Sequence, residues 1–72
     1  MNFHELQKLT QLLKQLRALR NLTDQLQAIK ELKEFGPQFA AMDESTLESL
    51  REQTDYDRDE WMALINQIKK GS

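Results

Sequence analysis

Between Phe3 and Phe35 an apolar residue recurs every three or four positions, and neither Gly nor Pro interrupts the run. That spacing is the mark of one face of an α-helix. At 100° per residue, Leu6, Leu9, Leu13 and Leu16 cluster on one side. Leu19, Leu22, Leu26, Ile29 and Leu32 cluster on nearly the opposite side, roughly 160° away. A straight helix with two apolar faces in its two halves needs two bodies to pack against, and a chain this short supplies about one.

The pattern predicts one long helix over about residues 2–35. Asn2 is suited to cap it, with Glu5 three residues on. Its interior is Leu, Gln, Lys, Arg, Ala and Glu, all good helix formers. Gly36 reads as its C-cap, and Pro37 prevents continuation. If straight, the helix is a rod of about 50 Å. A compact domain of this length is only about 29 Å across, so the rod projects or bends. A bend near residues 17–23 closes a compact monomer, but no Gly or Pro is there to cause one.

Pro37 opens a short turn of helix carrying Phe39 and Met42. A second helix is predicted over about 45–53, where Ser45 and Glu48 have capping-box spacing. Asp43 is the rival cap, with Met42 and Leu47 placed as a hydrophobic staple. A third helix is predicted over about 58–70. There Asp57 caps, Glu60 sits at N3, and Tyr56 and Trp61 occupy the staple positions. Trp61, Leu64, Ile65 and Ile68 follow the i, i+3, i+4, i+7 rule. Acids crowd its first turn and Lys69 and Lys70 its last, both favourable to the helix dipole.

The fold class is therefore all-α: one domain over 1–72, with a long first helix and two shorter helices returning along its second half. Leu6, Leu9, Leu13 and Leu16 are left as a 3-4-3 coiled-coil seam. They are the expected self-association residues of a homodimeric bundle, with the third helix of the partner contributing. Gly71-Ser72 reads as a helix stop or a cloning remnant.

Composition narrows the chemistry. With 72 residues and no Cys, the chain lacks disulfides and thiolate metal sites. Oligomerisation or partner binding is the usual remaining support at this size. The absence of Cys fits a reducing cytoplasm, the compartment expected here. No apolar run approaches a membrane span, and the N-terminus lacks a signal-peptide pattern. Residues 1–33 carry six basic against three acidic side chains; residues 34–72 carry four against nine. The two halves can meet with signs matched, which sets orientation more than stability.

No constellation points to catalysis. His4 is the only imidazole, with nothing placed to recruit it. Asp55, Asp57 and Asp59 resemble the start of a calcium loop. Glu60 stands where the turn Gly is needed and Asn66 where the bidentate Glu is needed, so the run reads as an acidic helix cap. Glu44, Glu48 and Glu52 form an open, solvated row. The second and third helices do not make a DNA-reading motif, because Asp57-Arg58-Asp59-Glu60 would repel phosphate. Lys14, Arg17 and Arg20 are the better-placed basic set for nucleic acid.

The expected function is non-enzymatic protein–protein interaction, without cofactor, metal, membrane or small-molecule substrate. The first reading is a small cytoplasmic regulator or inhibitor of the phage anti-host, anti-activator or chaperone type, which binds and occludes a larger protein. Its partner surface would be Phe39, Met42, Tyr56 and Met62, since exposed aromatics and Met mark interfaces. Asp55, Asp57 and Asp59 would form a charged rim. The alternatives are a coiled-coil assembly or docking segment, and a nucleic-acid binder using the basic face of the first helix.

Overall fold

A second asparagine cap divides what reads as one helix. In a computed structural model that describes residues 2–70, Asn2 caps α1 (Phe3–Ala18) by accepting from the Glu5 N–H at 2.9 Å. Asn21 caps α2 (Leu22–Lys33) in the same way, accepting from the N–H groups of Thr23 at 2.8 Å and Asp24 at 3.4 Å. Leu19 and Asn21 are both extended. The Gln25 side-chain amide donates to the Leu19 carbonyl at 2.8 Å, satisfying an acceptor that the break leaves bare. The single first helix expected over about residues 2–35 is thus corrected to two helices. Locally, a side-chain cap favours an extended backbone at Asn21, aided by the Asp24 carboxylate at the new N-terminus, and the burial that both helices gain in one core works in the same direction.

The bend explains the change of leucine face. A straight helix would separate the two leucine sets. Breaking at 19–21 turns both helices toward one core. The dimensions follow: the molecule measures 31 × 23 × 23 Å, with a radius of gyration of 11.2 Å, and no 50 Å rod projects from it.

Three more helices complete the fold, giving five in all and no strand among the described residues. α3 (Gly36–Ala41) is a single short helix with Pro37 in its first turn and Phe39 fully buried. Gly36 opens α3 with an ordinary negative φ instead of capping the helix before it. Asp43 caps α4 (Glu44–Thr54), its carboxylate accepting from the Thr46 N–H at 2.8 Å. That bond holds the Asp43 carboxyl below the usual range. Ser45 lies inside the helix. Asp55 closes α4 in the left-handed region (φ 61°), a conformation that Asp tolerates better than most residues. α5 (Arg58–Lys70) begins after Asp57, which accepts from the Glu60 N–H at 2.9 Å.

The core draws on every helix. Leu9 and Leu13 of α1, Leu32 of α2, Phe39 of α3 and Ile68 of α5 are completely buried, and Leu50 of α4 nearly so. α1 packs on α2 and α4, while α5 packs on α2 and α3. The layout is therefore a five-helix globule, not a hairpin of three.

Candidate functional site

The residues expected to reach outward divide into two groups. Leu9 and Leu13 lie at the centre of the chain's own core, with Leu16 packed on its edge. The seam is filled from within, because the bend brings α2 and the later helices over it. Of the large apolar residues of α1, only Phe3 and Leu6 are exposed; the Phe3 ring meets His4 edge-on at 6.2 Å.

Phe39 and Tyr56 are buried and Met42 packs on the core, so the structure does not place them on an open surface. Tyr56 is a structural tie. Its hydroxyl donates to the Leu13 carbonyl at 2.7 Å, 43 residues away in the chain. Its ring lies 5.5 Å from that of Trp61, the pairing that a hydrophobic staple makes. Burial pushes the phenol up to about 12. Its carbonyl accepts from Arg51 at 2.8 Å. Arg51 is also ion-paired with Glu48, which lowers the carboxyl and raises the guanidinium.

Asp55, Asp57 and Asp59 are exposed, but the first two end and begin helices. The hydrogen bond from Glu60 N–H holds the Asp57 carboxyl below its usual range. Among the described residues no three His, Cys, Asp or Glu converge to hold a metal. Met62 is 64% exposed. It borders an open groove of about 660 Å³ between α4 and α5, whose walls carry both signs: Glu44 and Glu48 opposite Arg58 and Lys69.

The surface that the sequence pattern missed is on α2. Leu22 is 68% and Leu26 58% exposed. Both were expected beneath the returning helices, together with Leu19, Ile29 and Leu32. Only Leu32 is fully covered; Leu19 and Ile29 are half-buried. The buried face of α2 is instead Ala28 and Leu32, continued past its end by Phe35, spaced i, i+4, i+7. That competing stripe was visible in the sequence, but it contains an alanine and so ranks low by hydrophobicity alone. Beside the exposed pair runs an open groove of about 380 Å³, between the α1–α2 bend and α5. Leu16, Leu19, Ile29, Tyr56 and Leu64 line it, with Arg17 and Glu60 among its charged residues.

The two exposed leucines stand one helical turn apart, next to this groove. Compared with known protein families, curated proteins and solved structures, the chain matches none. No helix among the described residues is long and apolar enough to cross a membrane.

Proposed function

We propose that this chain is a non-enzymatic protein-binding domain that docks a larger protein on the apolar face of α2 and regulates it by occlusion. The observation that carries this reading is the exposure of Leu22 and Leu26 in a domain whose core is closed without them. Fully burying a leucine contributes roughly 1.5–3 kcal/mol. Covering both exposed surfaces therefore offers roughly 2–4 kcal/mol to a partner, a large share of a micromolar affinity. Adjacent exposed leucines on a small domain are otherwise an aggregation liability.

The dimer expectation rested on an uncovered leucine face in the first half of the chain. With Leu9 and Leu13 inside the core, a different protein is the better-supported partner.

The test is comparative capture of proteins from the source cells. The wild-type chain and a Leu22→Glu/Leu26→Glu variant serve as baits, with retained proteins purified and titrated against both. A protein that binds the wild type and loses at least tenfold in affinity for the variant (about 1.4 kcal/mol) supports the reading. Identical retention by both baits, with matching helical circular dichroism, sinks it.

A further inference from the structure

The charges around the exposed leucines indicate what kind of partner they receive. Leu22, Leu26, Ile29 and Lys33 stand at i, i+4, i+7 and i+11, so the apolar strip of α2 ends in a cation. Lys30 flanks it on the outer side at helical spacing. Arg20 lies in the bend, at the opposite end of the strip. Arg20, Lys30 and Lys33 take part in no ion pair among the described residues.

The nearby acids are directed elsewhere or outnumbered. Asp24 and Glu31 fall on the other flank of α2 by helical spacing. Glu31 and Glu34 line the α1–α2 cleft together with Lys8. Glu60 is the one acid among the residues lining the groove, which also include Arg17.

We infer, building on the docking role proposed above, that the α2 face receives an acidic amphipathic helix. Its leucine-type side chains would cover Leu22 and Leu26 and enter the groove, and its carboxylates would meet Arg20, Lys30 and Lys33. The span from Leu22 to Lys33 is about 16 Å, so three turns of partner helix cover it. Helix-in-groove recognition of this kind reads anchors at i, i+3 or i+4, and i+7.

The same charges argue against two rivals. A second copy docked antiparallel across α2 would bring Lys33 of one chain against the Leu19–Arg20 end of the other, like charge on like. An anionic membrane matches the lysines but not the shape. The strip borders a concave groove, suited to a rod rather than a plane, and Glu60 would face the headgroups.

The experiment uses the full chain and three fluorescein-labelled synthetic helices of about three to four turns. The first has a leucine stripe flanked by Glu, the second the same stripe flanked by Lys, and the third the acidic composition with its leucines scrambled. Binding is read by fluorescence anisotropy. Each exposed charge pair is expected to change affinity by a factor of about two to five, so the acidic amphipathic peptide should bind at least about tenfold tighter than the basic one. Raising salt from about 50 to about 500 mM should narrow that gap. Lys30→Glu/Lys33→Glu, at an exposed and a half-buried position of α2, should reverse the preference. Leu22→Ser/Leu26→Ser should abolish binding of every peptide while leaving the circular dichroism unchanged.

Equal binding of acidic and basic stripes, lost in the leucine variant, overturns the acidic assignment and leaves the docking role standing. Binding of the scrambled peptide equal to the first overturns the amphipathic assignment. Silence of all three peptides overturns the inference, and the capture experiment then decides the docking role separately. A dimer by light scattering that the leucine variant dissolves assigns the face to a second copy. Co-sedimentation with phosphatidylserine vesicles, with the peptides silent, assigns it to a membrane surface.

Discussion

α2 and α5 are nearly equal in length, at 12 and 13 residues, and each carries large apolar residues at helical spacing, but they use them differently. α5 buries Trp61, Leu64, Ile65 and Ile68 together. α2 buries Ala28 and Leu32 and leaves Leu22 and Leu26 in solvent. The difference lies in what surrounds each helix. α5 packs against α2 and α3 and forms one wall of the open groove beside α4. α2 packs against α1 and α5, and past Gln25 and Ile29 its surface has nothing over it. A leucine stripe thus shows that a helix has an apolar face, while the topology decides whether that face is core or left in solvent.

The comparison breaks most completely at the shared core. Phe39 is fully buried at the heart of the cluster, on a helix of only 6 residues that could not form alone. Phe39→Ala should cost about 3–5 kcal/mol. Total stability for a domain of this size is about 4–11 kcal/mol. The variant should therefore be largely unfolded in mild urea, with its helical signal lost well before that of the wild type. A change under about 1 kcal/mol would return Phe39 to the surface role that its place in a turn suggested.

Much of this was legible. The all-helical class, the Asp57 cap, the Tyr56–Trp61 pairing and the burial of the α5 stripe all follow from spacing and local chemistry, which act within one or two turns. The break at 19–21 was harder to read. Leu19, Arg20 and Asn21 are each tolerated inside a helix, and the cost of interrupting it is set against burial that only distant residues supply. Two local signs were nonetheless present: Asn21 with Asp24 three residues on, and the jump of the leucine face at Leu19. The exposure of Leu22 and Leu26 was hidden for the same reason, since a helix that bends changes which of its leucines turn inward. Asn21→Ala removes the acceptor for two N–H groups and should cost about 1 kcal/mol, seen as a lower urea midpoint. An unchanged midpoint would mean that packing, not the cap, sets the bend.

Tyr56 offers a sharper probe, because it ties the α4–α5 connection to α1. Tyr56→Phe should cost about 1 kcal/mol by removing its bond to the Leu13 carbonyl. The wild type should also lose stability with alkali. The folded phenol, pushed up to about 12, keeps its proton when the unfolded phenol, near 10, has lost it. Its contribution is full below pH 10 and is lost as pH rises through 12. The difference between wild type and Tyr56→Phe in urea midpoint should therefore shrink from pH 9 to pH 12. A constant difference would show that the hydroxyl reaches water.

The smallest expected change is the most informative about function. Leu22 and Leu26 are large apolar residues, and in α5 the buried ones, Trp61, Leu64, Ile65 and Ile68, hold the domain together. On α2 they are more than half exposed, and truncating them leaves no cavity, so the transfer and void costs of a core substitution do not arise. Alanine is also a better helix former than leucine. Leu22→Ala and Leu26→Ala should each shift unfolding free energy by less than about 0.5 kcal/mol, against several kcal/mol for a buried leucine. Urea unfolding of each variant, with the core variant Leu64→Ala alongside as the contrasting case, measures this directly. A loss above about 1.5 kcal/mol at either position would mean that these leucines are covered in solution, by another copy or by a different packing of α2. A near-zero loss makes them residues with no part in folding, and contact with something outside the chain is then the use to which two adjacent exposed leucines are suited.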